Sequence, residues 1–156
     1  MLISLFEPDI PQNTGSMLRL CACMGVPLHI IEPCGFVLDD KNLRRVAMDY
    51  AAMASVTRHI SWQAFTAYKQ QTGGRIILLS TRASSVYTEF AFRPDDMLLF
   101  GRESSGVPDY VREAADAAVR IPLVAGARSL NLVQAASMVL GEAMRQVGWW
   151  SKGVMG

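Results

Sequence analysis

Short apolar segments alternate with stretches that tolerate helix, and this alternation limits the possible folds more than any other feature of the chain. The β-like runs are Leu2–Phe6, Pro27–Ile31, Ser55–Ile60, Arg75–Ser80, Met97–Phe100 and Ala118–Leu123. The helix-tolerant segments between them are Gly15–Met24, Asp39–Tyr50, Trp62–Gln71 and Pro108–Ala115. Strands separated by helices predict an α/β fold, in which a mostly parallel sheet carries helices on both faces.

The composition suits a single globular domain over residues 1–156. Of the 156 residues, 51% are hydrophobic and 19% are charged, which excludes disorder and allows a sizeable core. No apolar run reaches the length of a membrane-spanning helix, and the N-terminus lacks the basic region of a signal peptide. Three cysteines give no disulfide framework. We therefore expect a cytoplasmic protein with no membrane partner.

Two segments near the ends of the chain are apolar on more than one side. The first is the helix-tolerant segment Gly15–Met24, and the second is a longer predicted helix over Asn131–Val147, followed by Trp149 and Trp150. A helix that is apolar on most sides must be covered on most sides. This favours a subunit interface, with a helix central to the chain's own core as the alternative.

Polar residues follow the predicted strands in three places. After the first strand, Asn13 or Thr14 can cap the next helix, and Arg19 lies further along it among apolar neighbours. Such an arginine needs a partner, either Glu7 or Glu103 within the fold or an anionic ligand.

The second and third places are alike in pattern. Gly101 and Glu103 follow the apolar run Met97–Phe100, while Ser129 and Asn131 stand where the last helix begins. All three loops follow strand carboxyl ends, where open α/β sheets bind their ligands. They predict one shared small-molecule site, although each loop taken alone could be an ordinary connection.

Several chemistries are excluded. The two histidines, His29 and His59, accompany no nucleophile elbow, and His29 is interpreted as a core residue. No metal site is expected, and Cys21 and Cys23 are interpreted as buried thiols. The spacing of Gly101 and Gly106 resembles a phosphate loop but lacks its lysine, and no dinucleotide fingerprint follows the first strand.

The basic residues leave a nucleic-acid partner open. The formal net charge is only +1, but arginine greatly outnumbers lysine, and four basic residues (Lys41, Arg44, Arg45 and Arg58) fall in one segment with a single acidic one. This segment is either a solvated helix face or a track for RNA phosphates.

Three motifs together resemble those of the SPOUT RNA methyltransferases. They are Glu7-Pro8-x-Ile10-Pro11-x-Asn13-Thr14-Gly15-x-x-x-Arg19, Leu99-Phe100-Gly101-x-Glu103-x-x-Gly106, and Ile121-Pro122 through Ser129-Leu130-Asn131-Leu132. The similarity spans nearly the whole chain. His29-Ile30-Ile31-Glu32-Pro33 and Asp39-Asp40-Lys41-x-Leu43-Arg44-Arg45-x-x-x-Asp49-Tyr50 resemble the short TrmL type, which methylates the wobble nucleotide of tRNA.

The resemblance implies a SPOUT fold with a C-terminal trefoil knot, a homodimer and S-adenosylmethionine as the methyl donor. Carried over by motif, the cofactor-binding residues are Leu79, Gly101, Ile121, Ser129 and Leu130. The residues at the reacting end are Arg19, Glu103 and Asn131. We expect Arg19 to clamp phosphate and stabilise the alkoxide, and Glu103 to orient Arg19 or to accept the proton through water. Gly101 is expected to be glycine because the cofactor approaches its backbone.

The reaction implied is 2′-O-methylation at position 34 of a tRNA anticodon stem-loop, on a cytidine or a modified uridine, with leucine tRNAs as the expected substrates. The alternatives are 2′-O-methylation of ribosomal RNA or of another tRNA position, and a non-catalytic RNA-binding or assembly module that retains the fold. Calorimetry with S-adenosylmethionine discriminates the module from the enzymes.

Overall fold

The computed structural model describes residues 1–38, 50 and 53–152. In these ranges seven strands form one sheet in the order β3-β2-β1-β6-β4-β7-β5, and every neighbouring pair is parallel. The strands are β1 (Leu2–Phe6), β2 (Leu28–Ile31), β3 (Val56–His59), β4 (Ile76–Leu79), β5 (Ser85–Val86), β6 (Met97–Phe100) and β7 (Ala117–Arg120). The α/β fold with a parallel sheet is confirmed.

Helices cover both faces of this sheet, as the alternating pattern predicts. They are α1 (Pro11–Met24), α2 (Trp62–Thr72), α3 (Asp109–Ala114) and α4 (Leu132–Gln146), with a 3₁₀ turn at Trp149–Lys152. One apolar core lies between the sheet and α1 with α4, and the other contains side chains of α2 and α3. The helix predicted over Asp39–Tyr50 lies outside the described residues except for Tyr50. The trefoil knot stays a prediction.

The central strands form where the sequence is continuously apolar. β1 and β6 have the predicted bounds, and all their residues are buried, because both faces of the sheet are covered. β7 ends at Arg120, before the predicted Leu123, and Pro122 has no N–H to continue a ladder. The two-residue strand β5 has no apolar run and was not predicted.

Helix α1 begins earlier than predicted. Pro11 occupies its first turn, where the fixed φ of proline suits a helix, and Ile10 in the capping position makes no side-chain cap. The prediction that Asn13 or Thr14 caps this helix is therefore wrong. Since Asn13 lies inside the first turn, its amide is available for contacts with other loops.

Helices α1 and α4 pack against each other as well as against the sheet. Each buries one side in the chain's own core, and the Trp149 indole N–H donates to the Met24 carbonyl at 3.2 Å. On the outer side of α4, Met138 remains 41% exposed. Burial within the chain thus explains much of the apolar pattern, and the subunit interface stays a prediction.

The two histidines form a buried pair outside the strand-end loops. His59 Nε2 lies 2.9 Å from His29 Nδ1, and the rings pack against Phe65 and Tyr68. The interpretation of His29 as a core residue is confirmed.

Cys21 is buried as predicted, but Cys23 is exposed, since two positions along a helix place the thiols on different sides. All three cysteines are free thiols. In the described ranges no helix is long and apolar enough to cross a membrane, and no cluster of three or more candidate metal ligands occurs.

Candidate active site

A cavity of about 540 Å³ opens at the carboxyl ends of three adjacent strands. Its walls come from the ends of β4 and β6, from the segment after β7, and from the loop between β1 and α1. Because β1, β6, β4 and β7 are consecutive in the sheet, these loops meet although they are distant in sequence. The strand order reverses direction at β1 and β6, which is where doubly wound sheets place their ligands.

Seven of the eight residues that the sequence predicts for the site line this cavity. They are Leu79, Gly101, Glu103, Ile121, Ser129, Leu130 and Asn131. The three strand-end loops therefore contribute to one cavity, and their forming one functional site stays a prediction. The individual roles of these residues remain predictions.

Arg19 is the eighth residue, and the structure places it elsewhere. Its side chain is exposed, and its guanidinium carbon lies 4.8 Å from the centre of the Tyr50 ring. Neither predicted ion pair forms: Glu7 pairs with Arg102 at 3.5 Å, and Glu103 is held by other groups. Although Arg19 has apolar neighbours in the sequence, its own side chain falls on the exposed side of α1.

Glu103 is fixed by the loop that follows β1. Its carboxylate accepts the backbone N–H of Asp9 and the side-chain amide of Asn13, both at 3.1 Å. Burial raises the pKa of Glu103, and a hydrogen bond with the Asp9 carboxyl raises it further. The same hydrogen bond lowers the pKa of Asp9. Asp9 therefore holds a proton less readily than an ordinary aspartate, and Glu103 is a more basic carboxylate than an ordinary glutamate.

Asn131 joins the last helix to this network. Its side-chain oxygen accepts the N–H groups of Val133 at 2.9 Å and Gln134 at 3.4 Å, so it caps α4 as predicted. Its amide group donates to the Asn13 side-chain oxygen at 3.1 Å. Asn131, Asn13 and Glu103 thus connect all three strand-end loops by side-chain hydrogen bonds.

The structure gives a steric reason for glycine at position 101 that does not depend on a ligand. A Cβ atom on Gly101 would lie 2.6 Å from the carbonyl carbon of Gly106. Those two segments are held together by reciprocal backbone hydrogen bonds of 2.9 and 2.8 Å between Arg102 and Gly106. The glycine is required by this tight turn, whether or not a ligand approaches its backbone.

The sequence interpretation missed Asp9, Asn13 as a tertiary contact, and four arginines of the wall. The arginines are Arg82, Arg102, Arg112 and Arg128. Arg102 pairs with Glu7, and Arg112 pairs with Asp109 at 2.8 Å. The excess of arginine was visible in the composition, but its concentration at one cavity was not, because the four arginines are spread over three loops and helix α3.

The cavity fits a nucleoside-containing methyl donor. Its volume is within the range of small-molecule sites. Leu79, Ile121 and Leu130 offer apolar surface for a base, and among the described residues the buried Nε of the wall residue Arg112 has no hydrogen-bond partner. A buried N–H of this kind is normally satisfied, so a polar ligand group is a suitable acceptor.

The parallel sheet, with a cavity at the carboxyl ends of its strands and four arginines on the cavity wall, defines an α/β protein with a candidate small-molecule site. Comparison with known proteins identifies its family. The chain matches the SpoU rRNA methylase family over residues 1–141, and it belongs to that family.

Relatives and solved structures agree with this assignment. The tRNA (cytidine(34)-2′-O)-methyltransferase of Beijerinckia indica is 57% identical over 151 residues, covering 97% of this chain and 94% of the relative. A structure described as giving insights into 2-OH methylation of C/U34 on tRNA is 38% identical with a TM-score of 0.85, covering 92% of this chain and 93% of that one. The SpoU methyltransferase AviRb of Streptomyces viridochromogenes, solved in complex with AdoMet, is 25% identical with a TM-score of 0.81, covering 94% of this chain and 60% of that one.

Proposed function

We propose that this chain methylates the ribose 2′-hydroxyl of nucleotide 34 in tRNA, a cytidine or a modified uridine, with S-adenosylmethionine as the methyl donor. The observation that carries the proposal is the meeting of three distant loops in one cavity, with Leu79, Gly101 and Ser129 on its walls. Relatives named for this reaction match almost the entire chain.

The apolar residues of the wall would hold the adenine, and backbone groups near Gly101, Ser129 and Leu130 would bind its polar edge and the ribose. When bound, S-adenosylmethionine supplies a methyl group on a sulfonium, which a ribose oxygen takes while its hydroxyl proton leaves. Holding the reacting groups in place can account for roughly 7–11 kcal/mol of barrier reduction in the best cases.

The chain's own carboxylate best placed to take that proton is Glu103. It lines the cavity, it is held by two N–H donors, and its raised pKa makes it a better base near neutral pH than a free glutamate. A positioned general base contributes about 10²–10⁴-fold to the rate. Asn131 sets the distance between the last helix and this carboxylate through Asn13.

Arg19 is proposed to bind an RNA phosphate rather than to act as a base, because its guanidinium stays protonated at accessible pH. Its exposure leaves the charge available to a phosphate, and the Tyr50 ring supports one face of the group. Full turnover of Arg19→Lys with unchanged tRNA binding would contradict this role.

The proposed substrate region is the anticodon stem-loop, and the proposed assembly is a homodimer in the cytoplasm. An unpaired loop nucleotide can be splayed out into a pocket, whereas a nucleotide inside a double helix cannot. The exposed arginines Arg82 and Arg128 at the cavity are suited to phosphates, so binding should weaken as salt rises. Light scattering of the purified protein at several concentrations tests the dimer.

The deciding experiment is methyl transfer from labelled S-adenosylmethionine to a panel of tRNA transcripts that includes leucine tRNAs, with the modified nucleotide mapped by mass. A matched pair of transcripts carries a single 2′-deoxy nucleotide at position 34 or at position 35. We expect the first to abolish transfer and the second to permit it. Transfer to another tRNA position or to ribosomal RNA would establish the runner-up activity, and absence of binding at millimolar S-adenosylmethionine would establish the non-catalytic module.

A further inference from the structure

Asp9 lies in the loop between β1 and α1, at a position outside the residues that carry the family resemblance. Its carboxylate makes two contacts to the loop after β6: Oδ1 accepts the backbone N–H of Glu103 at 3.1 Å, and Oδ2 accepts the hydroxyl of Ser104. The backbone N–H of Asp9 in turn donates to Glu103 Oε2 at 3.1 Å. The two acidic residues therefore hold each other reciprocally, backbone to side chain in both directions.

The other side of Asp9 is closely packed. A Cβ atom on Gly35 would lie 2.8 Å from the Asp9 Cβ and 3.0 Å from its Cα, and the Gly35 N–H donates to the Pro8 carbonyl at 2.9 Å. The loop after β2 thus packs closely against the segment that carries Asp9. Asp9 has little freedom to move away from Glu103.

The other charged residues near Asp9 and Glu103 either pair with each other or are arginines of the cavity wall. Glu7 and Arg102, its neighbours in the same two loops, pair with each other, and Asn13 contributes a neutral amide to Glu103. The remaining charges on the cavity wall are Arg82, Arg112 and Arg128. In the described part of the chain, the only acidic side chain that contacts Glu103 is therefore Asp9.

The geometry points to Asp9 as a positioning residue for the transfer reaction: its carboxylate holds the Glu103 backbone N–H and the Ser104 hydroxyl, and so keeps the Glu103 carboxylate on the cavity wall, where that carboxylate takes the proton of the ribose hydroxyl. This inference rests on the proposed methyl transfer. The O–H bond breaks, its electron pair stays on the oxygen as that oxygen bonds the methyl carbon, the proton passes to a Glu103 oxygen, and the sulfur leaves as a neutral thioether.

Asp9 acts on Glu103 in two ways. Its carboxylate holds the backbone N–H of Glu103 and so positions the loop that carries it. A side-chain hydrogen bond with Asp9 also raises the pKa of Glu103, in addition to the larger effect of burial. An amide at position 9 keeps the shape but removes the charge and can donate a hydrogen bond to Glu103. The proton affinity of Glu103 should then fall.

The test compares Asp9→Asn, Asp9→Ala and Asp9→Glu with Asp95→Asn, an exposed carboxylate at the opposite end of β6. We expect the acidic limb of the kcat–pH profile to move to lower pH in Asp9→Asn. We expect kcat to fall about 10²-fold in Asp9→Ala, because the loop that carries Glu103 loses its two bonds to the Asp9 carboxylate and the Glu103 carboxylate moves with it, while KM for S-adenosylmethionine changes little. Asp9→Glu should recover part of the rate, and Asp95→Asn should match the wild type.

A second readout does not depend on activity. The carboxyl carbon of Glu103, labelled with ¹³C and assigned by its loss in Glu103→Gln, is titrated by NMR in the ligand-free protein. The expected result is titration above the ordinary range of glutamate in the wild type and a lower midpoint in Asp9→Asn. An unchanged midpoint and an unchanged acidic limb in Asp9→Asn would overturn the inference, as would full activity of Glu103→Gln. Lack of methyl transfer by the wild type would overturn the proposed function instead.

Discussion

Asn13 and Asn131 lie 118 positions apart and share a hydrogen bond of 3.1 Å, in which the Asn131 amide donates to the Asn13 oxygen. The Asn131 oxygen faces the other way and caps α4. One side chain thus performs two separable tasks: it stabilises the first turn of a helix, and it ties that helix to the loop that holds Glu103.

Replacing Asn131 separates these tasks. Asn131→Asp keeps an oxygen that caps α4 but has no amide to donate to Asn13, so we expect near-normal stability with reduced methyl transfer. Asn131→Ala loses the cap as well and should lower the free energy of unfolding by about 1 kcal/mol. Urea denaturation and initial rates, measured on both variants, check the prediction. Equal losses of stability in the two variants would show that the cap and the link cannot be separated.

The fold could be predicted largely because the strands are continuous apolar runs. The predicted bounds of β6 match the structure, since the apolar run Met97–Phe100 is bounded by Asp96 and Gly101 and has no competing helix period. β5 could not be predicted, because Ser85–Val86 is held in the sheet only by pairing with β7. The early start of α1 depends on Pro11, whose φ suits a first helical turn as well as an extended loop.

Gly101 and Gly141 should respond in opposite ways to alanine. In Gly101→Ala the new Cβ meets the backbone of Gly106 at 2.6 Å, and backbone cannot move aside as a flexible side chain can. We expect a loss of about 1–3 kcal/mol in the free energy of unfolding, together with weaker S-adenosylmethionine binding because the turn lines the cavity. Calorimetric titration and chemical denaturation measure the two effects.

Gly141 is the matched control, since it lies within α4 and a Cβ there would meet no atom within 4 Å. Gly141→Ala should raise stability by up to about 1 kcal/mol, because alanine loses less backbone entropy in a helix. Stabilisation by Gly101→Ala would mean that the turn opens freely, against the close approach seen in the structure.

The candidate site could be predicted only to the level of its loops. Seven of the residues carried over from the family motifs line the cavity, because parallel strands bring their carboxyl ends to one edge. Arg19 lies on the exposed side of α1 and not on the wall of this cavity, because the side on which a helical residue falls depends on how the helix packs. Asp9 was missed because its partners, Glu103 and Ser104, are more than ninety positions away.

An ion pair between Arg75 and Asp96 lies at the amino ends of β4 and β6, away from the cavity at their carboxyl ends. It should contribute to the stability of the fold but not to the rate of methyl transfer. Arg75 holds Asp96 through two hydrogen bonds of 2.8 and 2.9 Å, and the Asp96 carboxylate is fully buried. Arg75→Ala leaves that charge without its partner, so we expect a loss of about 3 kcal/mol in the free energy of unfolding. Thermal and urea denaturation measure the loss of stability. The value of kcat, measured well below the melting temperature, should match that of the wild type.

Arg145→Ala is the control for a lost ion pair, because Arg145 is exposed on α4 where it pairs with Glu142. Exposed pairs contribute little, so this variant should unfold close to the wild-type midpoint. If both variants lost the same stability, burial of Asp96 would not be the cause of the effect.

The pair formed by His29 and His59 should make the protein sensitive to acid. Burial, and to a lesser extent the neighbouring His59, lower the pKa of His29 from 6.5 to about 4, and burial lowers the pKa of His59. A proton between two rings 2.9 Å apart can be shared, but a second proton would set two N–H donors against each other. The unfolded chain therefore binds more protons than the folded one between these pKa values. The contribution of the two histidines to stability is complete above about pH 6.5 and falls as the pH drops toward 4, with a slope of at most about 1.4 kcal/mol per pH unit for each proton.

We expect His29→Gln to be less stable than the wild type at neutral pH and to lose less stability on acidification. The comparison of slopes isolates the histidines, since Glu103, whose raised pKa has the opposite effect, is common to both proteins. Urea denaturation at several pH values between 4 and 7 measures the slopes, and identical slopes for the two proteins would show that the pair does not carry the acid sensitivity.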